Sequence, residues 1–572
     1  MFPLQPLRSF LPIDNLLGFG PADFLEFAIA ALLVFLALVS RPLVEPYARR
    51  FALRTAWCMA LLAALPIVLR LLLLPHHPAP TPDIYDEFGH LLVADTLRHF
   101  RLANPAHSLP QFFETFFVLQ RPTYSSIYPI GQGLALAIGW TLFGSPWAGV
   151  MLSTAAFCAL CYWMLRAWTT PLWSLTGGLL AVIEFGPLNQ WMNDYWGGAL
   201  TAVAGCLVFG ALPRLKAAPR ERDAVLLGLG LAIHLLTRPY ESIFLFLAAA
   251  LFLLPMVRQP SALRALAKVA PATLLIIAAA LGLTLLQNKQ VTQSWTALPY
   301  QLSQYQYGVP AALTFQQNAV PHADLTPEQS MDYRMQRSFH GNSTDTLSTY
   351  LLRLEYRVRY YRFFFLAPLY LALPLFFTSI RRFPFLWVAL TLLLFTLGIN
   401  FFPAYQLHYA AACTCLYILV VITGLQRLSA LTIHSRYAGR GAARILLFLC
   451  GAHFVFWYGL HLFESSGVSQ ALLPYETWDA INHQNPQRRI LVNRELDKIP
   501  GQLLVFVRYS QQHAFQDEWV YNRADIDGAR IVWARDLGQA EDEKLLQYYP
   551  HRKALLLAPD MRLPQLGDYP QP

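Results

Sequence analysis

Apolar residues run along this chain in blocks of membrane-spanning length, separated by short polar connections. A bilayer core needs about 17 to 25 such residues in helical form. Blocks of this kind recur at 23–42, 52–74, 129–144, 147–165, 171–187, 197–213, 224–237, 241–256, 270–286, 362–379, 384–400, 409–425 and 445–463. Beyond residue 464 the pattern changes. Polar stretches there enclose strand-like runs at 503–509, 530–533 and 553–557, and 540–548 has the pattern of a helix. The expected architecture is an all-α polytopic membrane domain over 1–463, with outer loops 75–128 and 287–361. A small C-terminal α/β domain follows over 464–572, outside the membrane.

Charge sets the expected sidedness. Lys and Arg gather in five connections: Arg41/Arg49/Arg50/Arg54, Arg214/Lys216/Arg220/Arg222, Arg258/Arg264/Lys268, Arg381/Arg382 and Arg427/Arg436/Arg440/Arg444. The positive-inside rule puts those on the cytoplasmic face. The opposite face receives 75–128, 188–196, 238–241, 287–361, 401–408 and the tail. Between 129 and 187 three crossings would put 188–196 on the wrong side, whereas two restore agreement. The segment 129–144 is therefore expected to lie along the interface or re-enter, leaving about twelve true spans and both termini outside. Thirteen spans, with the sidedness of one motif reversed, is the alternative. Residues 1–22 lack the basic start of a cleavable signal, so the first apolar run is expected to remain as a span.

Only 13% of residues are charged, against about one quarter in soluble domains. The net charge of +9 resides in the short connections, which excludes a nucleic-acid footprint. All seven cysteines fall in apolar blocks, leaving no disulfide framework or Cys-based zinc site outside the membrane.

Residues 81–101, TPDIYDEFGHLLVADTLRHFR, have the pattern of a helix with Thr81 as N-cap and Pro82 at its first position. Asp83, Asp86, Glu87 and His90 then share one face. Acids near a helix start favour the macrodipole, which accounts for Asp83 by itself. The adjacent Asp86 and Glu87 repel each other beside apolar neighbours and point to function. One carboxylate can serve as general base toward a hydroxyl while its neighbour positions a ligand or raises its basicity.

Tyr85-Asp86-Glu87-Phe88 follows an apolar span and opens an amphipathic helix. Asn104-Pro105 comes next, then Tyr128-Pro129-Ile130-Gly131-Gln132-Gly133 leading to Leu142-Phe143-Gly144. This order resembles the membrane-embedded GT-C glycosyltransferases, the superfamily of protein O-mannosyltransferases and lipid A aminoarabinose transferases. The resemblance covers residues 50–290 in outline. It implies that Asp86 is the catalytic base, Glu87 its partner, and a polyprenyl-phosphate sugar the donor, in a bacterial-type inner (plasma) membrane. Arg101 departs from the pattern, where a glycine often ends the helix, and an additional span precedes the usual first one.

Four further motifs are candidates for substrate binding, together with Asp83 and His90. Asn193-Asp194-Tyr195-Trp196-Gly197-Gly198 is either an interfacial turn or, by the resemblance, the bearer of a second outer acid, Asp194. Arg238 and Glu241 interrupt an apolar stretch at a cost of about 3 kcal/mol each unless paired or wet. They form either a structural pair or a site in which Arg238 meets the donor phosphate. Arg357 belongs to a basic aromatic strip, LLRLEYRVRYYRFFF, which suits anionic headgroups or a polyprenyl phosphate. His408-Tyr409 stands at the outer start of a span.

His76, His77, His90 and His107 share the first loop with acids. A divalent cation is possible there, without any tight ligand spacing. The reading is an inverting glycosyltransferase acting on a hydroxyl of a glycan, lipid or protein acceptor, with membrane lipids as further partners. A lipid-linked glycan carrier or a non-catalytic membrane assembly protein is the alternative. A carrier should show ionisable groups at mid-membrane and matching halves, whereas these acids lie in outer loops.

Overall fold

The computed structural model describes residues 21–341, 345–432, 438–473, 476, 481 and 486–570, with the side chains of 21–25 and 36–45 left aside. Arg436, residues 1–20 and the last two residues lie outside the described residues, and with them the expected placement of the termini.

The membrane part is a bundle of helices α1 (Pro21–Ala52), α2 (Thr55–Leu72), α3 (Tyr85–Arg98), α4 (Ile130–Phe143), α5 (Pro146–Leu165), α6 (Pro171–Phe185), α7 (Ala199–Ala217), α8 (Glu221–Thr237), α9 (Pro239–Val257) and α10 (Pro260–Thr292). After α11 (Pro299–Tyr307), α12 (Pro327–His340) and α13 (Leu347–Val358) in the long loop come α14 (Phe383–Ile399), α15 (Thr414–Ser429) and α16 (Ala438–Leu462). Seven helices among the described residues are long and apolar enough to cross a membrane, and Ile130–Phe143, Pro171–Phe185 and Phe383–Ile399 are shorter apolar helices. The expected span at 362–379 departs from its pattern. It is a chain of short turns from Arg359 to Ser379, because Pro368 and Pro374 each remove a backbone donor from the helical ladder.

Buried Arg70 marks one end of the bundle. Its Nε donates to Asn193 Oδ1 at 2.7 Å, its Nη1 to the His77 carbonyl at 2.9 Å, and its guanidinium lies 4.7 Å from the Trp147 ring centre. The other end is marked by Arg166, whose Nη1 donates to Thr55 Oγ1 at 3.1 Å. Helix α5 thus runs from the Arg70 end to the Arg166 end, antiparallel to α2.

Helix α4 starts beside Asp86, through Tyr128, and at its far end Trp140 lies 4.4 Å from the Arg98 guanidinium and 5.4 Å from that of Arg523 in the tail. Both of its ends therefore stand at the Arg70 end of the bundle. At fourteen residues it is about 21 Å long, short of a hydrocarbon core of about 30 Å. Its turn into α5 depends on Gly139 and Gly149, since a Cβ on Gly139 would come 2.0 Å from the Gly149 nitrogen.

The first outer loop holds a small antiparallel sheet of β1 (Asn104–Pro105), β3 (Thr123–Ser126) and β2 (Val118–Leu119), in that spatial order. The tail forms a four-stranded sheet in which β4 (Leu503–Val507) runs parallel to β5 (Ile531–Arg535) and β6 (Lys553–Ala558), with β7 (Gln565–Asp568) antiparallel at the edge. It carries α17 (Gln487–Lys498) and α18 (Gln539–Tyr548). Every residue of β4 is buried, as a central strand covered on both faces must be.

One face of this sheet packs Leu503, Val505 and Val507 on Val492 and Leu496 of α17. On the other face, Leu504, Phe506 and Val532 share a core with Leu92 of α3 and with Phe112, Phe113 and Tyr124 of the first loop. The tail thus has one core made of its own residues and a second that it shares with the first outer loop.

Candidate functional site

Helix α3 begins at Tyr85, three residues later than a Thr81 cap would place it. Glu87 explains the shift. Its Oε2 accepts from the N–H of Asp83 at 2.8 Å and of Ile84 at 3.3 Å, closing the first turn from inside. Its Oε1 accepts from the Tyr195 N–H at 3.0 Å, tying α3 to the 188–196 segment. Both oxygens of this buried acid are thus engaged with backbone, and burial still pushes its carboxyl up to about 7. Glu87 positions two segments, which corrects its expected pairing with Asp86 in catalysis. Asp83 precedes the helix and does not join the α3 face.

Asp86 is half-buried and points the other way. It accepts a hydrogen bond on Oδ1 from the Tyr128 hydroxyl and lies within electrostatic reach of Arg238. Burial raises its carboxyl to about 6 against the pull of both partners. Gln287 of α10 fixes Tyr128 by donating to its carbonyl at 2.9 Å, so three segments set the position of one carboxylate. Buried His90, one turn along α3, packs its ring 4.2 Å from that of Tyr128. Burial, aided by Arg238, drops its imidazole to about 3, so it is neutral at ordinary pH. Its Nδ1 has no hydrogen-bond partner among the described residues.

Arg238 sits at the break between α8 and α9. Its guanidinium lies 5.0 Å from the Tyr409 ring centre and 3.9 Å from Glu241 Oε1. The pair expected as one reading of this motif exists, and the same cation also faces Asp86, His90 and His408. Asp194 is buried and accepts from the Trp196 indole N–H, and the Trp196 ring stands 5.5 Å from His408. Gly197 and Gly198 make this turn possible with φ of 99° and 123°. At Gly198 any Cβ would run into Trp191 at 2.4 Å.

Arg357 is placed differently from expectation. Its guanidinium donates to the carbonyls of Asn400 at 3.1 Å, Phe402 at 2.6 Å and Pro403 at 2.9 Å. Burial lowers it to about 10. It staples the 399–403 turn to α13, and its two terminal nitrogens are committed before any phosphate arrives.

Three contributors were missed from sequence. Asp332 of α12 is fully buried, bonded to Gln336 Nε2 at 3.0 Å, and pushed up to about 7 by burial with a contribution from Asp86. Tyr300 packs 6.3 Å from Tyr128 and lies within reach of Asp86 and Arg238. Arg70 holds the 188–196 segment from below. Nothing local distinguishes Asp332 or Tyr300 within a long polar loop, whereas Arg70, a charge inside an apolar block, was a signal available to be read.

The loop histidines disperse. His77 bonds His461 and Glu464, and His107 meets Tyr549 and Asp527 of the tail. Among the described residues no group of three or more His, Cys, Asp or Glu is placed to hold a metal ion.

No family model and no curated protein matches the sequence. Among solved structures, ArnT from Cupriavidus metallidurans bound to undecaprenyl phosphate superposes with a TM-score of 0.50. Identity is 12%, over 88% of this chain and 93% of that one. This chain has the fold of that ArnT. The apo form of the same ArnT gives a TM-score of 0.47 at 12% identity over the same shares. The oligosaccharyltransferase AglB from Archaeoglobus fulgidus, in complex with an inhibitory peptide and a dolichol-phosphate, gives 0.36 at 11% identity over 79% of this chain and 62% of that one. In this chain the acid of the first outer loop, the 188–196 segment and the α8–α9 break meet at one end of the bundle.

Proposed function

We propose that this protein is an inverting glycosyltransferase that moves a sugar from a polyprenyl-phosphate donor to a hydroxyl acceptor on the extracytoplasmic face. The observation that carries this reading is the placement of Asp86 opposite Arg238, with Tyr128 holding one carboxylate oxygen, at the end of a GT-C bundle. ArnT with the same fold was solved with undecaprenyl phosphate bound, which suits a lipid phosphate donor here.

In this reading the free oxygen of Asp86 takes the proton of the acceptor hydroxyl. The hydroxyl oxygen bonds to the anomeric carbon as the bond from that carbon to the phosphate oxygen breaks. The electron pair leaves on the polyprenyl phosphate, whose growing charge meets Arg238. A single displacement inverts the anomeric centre. Neutral His90 and the hydroxyls of Tyr300 and Tyr409 line the space and orient the sugar, and Glu241 keeps Arg238 in place. Asp194 and His408 form the far wall, and Glu87 is a positioning residue. Helix α4 lies at the interface, so that α5 and α6 are the two crossings between 129 and 187.

The test is transfer from a radiolabelled polyprenyl-phosphate sugar in proteoliposomes. Asp86→Asn should lose transfer by at least about a hundredfold, the lower end for a general base, while donor binding and expression stay intact. Unchanged product formation by that variant removes Asp86 from the mechanism. Donor crossing the bilayer without transfer would point to a carrier instead.

A further inference from the structure

The opposite end of the bundle holds a polar cavity remote from Asp86 and Arg238. It has a volume of about 580 Å³ and is lined by Arg166 after α5, Arg382 before α14 and Arg427 near the end of α15, with Thr169, Ser379 and Gln426 between them. No acidic residue lines it.

Cationic residues at this end serve orientation during insertion, and orientation requires neither convergence nor a cavity. These three converge from three separate connections, the first of which, at Arg166, lies far in sequence from the other two. Their donor capacity is only partly used. Arg166 gives Nη1 to Thr55 and Tyr162, and its buried Nε has no hydrogen-bond partner among the described residues. Arg427 gives Nε to Ser379 Oγ at 2.8 Å, which orients the rest of its fork. Arg382 is exposed at the rim.

Two helix starts open onto the same space. Thr170 precedes α6 and Arg382 precedes α14, and neither N-cap makes a side-chain hydrogen bond. Pro171 and Pro384 carry no N–H, and the N–H of Phe385 is taken by the Arg382 carbonyl, so these helix starts add chiefly the positive ends of their dipoles to the three guanidinium groups.

We infer that this cavity is a binding site for a phosphate-bearing ligand at the cytoplasmic end of the bundle, separate from the donor site at the other end. Arg forks match phosphate oxygens in pairs, and the hydroxyls and the Gln426 amide complete a polar lining. Two sources share this chemistry: the headgroup of an anionic lipid in the adjacent leaflet, and a soluble phosphate.

Full-length protein in detergent is examined by native mass spectrometry with added phosphatidylglycerol, and by thermal unfolding with added inorganic phosphate. Retention of phosphatidylglycerol that falls at least tenfold in Arg382→Gln/Arg427→Gln supports a lipid headgroup. A rise in unfolding temperature with millimolar phosphate that disappears in the same variant supports a soluble phosphate. Arg382→Gln alone, at an exposed position, repeats both measurements without disturbing the packed residues, and it should weaken either signal severalfold. If neither probe binds the wild type, or if both variants bind as the wild type does, the site does not exist.

Discussion

The hydroxyl of Tyr128, at the entrance to α4, donates its hydrogen bond to Oδ1 of Asp86 at the start of α3. One oxygen of the carboxylate is thereby fixed and the other is left to work. A donor to a carboxylate favours its ionised form. Tyr128→Phe should therefore raise the Asp86 pKa from about 6 and move the acidic limb of the kcat/KM profile to higher pH. The loss at neutral pH should be about tenfold, because a hydrogen bond to a charged group contributes about 1.5 to 3 kcal/mol. A pH–rate series on wild type and variant measures both effects.

The wild-type profile has its own expected sign. Asp86 must be ionised to accept a proton, so transfer falls as pH drops through about 6. Its raised pKa reflects burial, and Asp86→Glu should keep a limb in the same region, whereas Asp86→Asn should abolish both limb and rate.

Glu87→Gln tests positioning against chemistry. The amide keeps one acceptor oxygen and turns an NH2 toward backbone N–H groups, so at least one of the donors from Asp83, Ile84 and Tyr195 loses its partner. A buried donor left unsatisfied costs about 1 to 3 kcal/mol. The unfolding temperature should fall and kcat with it, while the acidic limb set by Asp86 stays where it is. Movement of that limb would return Glu87 to a direct catalytic role.

The two arginines expected to meet phosphate should differ in rate. Arg238→Gln should reduce kcat/KM by about a hundredfold or more, the range for removing a group that stabilises developing charge, and should also lower the unfolding temperature because buried Glu241 loses its cation. Arg357→Gln should release the carbonyls of the 399–403 turn and lower the unfolding temperature, leaving donor KM within severalfold of wild type. Single-turnover rates and unfolding curves on both variants separate the roles.

Arg535, in the tail, is buried between Glu518 Oε2 at 3.3 Å and Glu328 of α12. Arg535→Met leaves two buried carboxylates facing each other without a cation. Breaking a buried network in this way costs about 3 to 5 kcal/mol. The long loop should detach from the tail and become a protease target, and activity should fall because α12 also carries Asp332.

Much of this was legible because it depends on local pattern. Apolar block length revealed most helices, the alternation after residue 500 revealed three strands of the tail, and the Asp86-Glu87 pair was visible beside its span. The clash between charge and span counting at 129–187 pointed to α4, whose two ends stand together in the fold. Pairwise geometry was not legible. Whether Glu87 or Asp86 faces Arg238 depends on where Tyr195 and Tyr128 arrive from afar. A strip of four arginines gives no sign that Arg357 will spend its fork on carbonyls. Asp332 reaches the site because its helix is held by distant partners, Arg535 of the tail through Glu328 and Glu114 of the first loop through Gln329.

The core shared by Leu504 and Phe506 with Leu92 and Phe112 has a consequence in time. The ribosome makes α3 early, but the strands that cover its outer flank come last. Until the tail has been synthesised and folded, Phe88 and Leu92 of the helix bearing Asp86 lack their partners there. In the reading proposed above, the reaction centre is therefore completed only after the bundle that precedes the tail has been made.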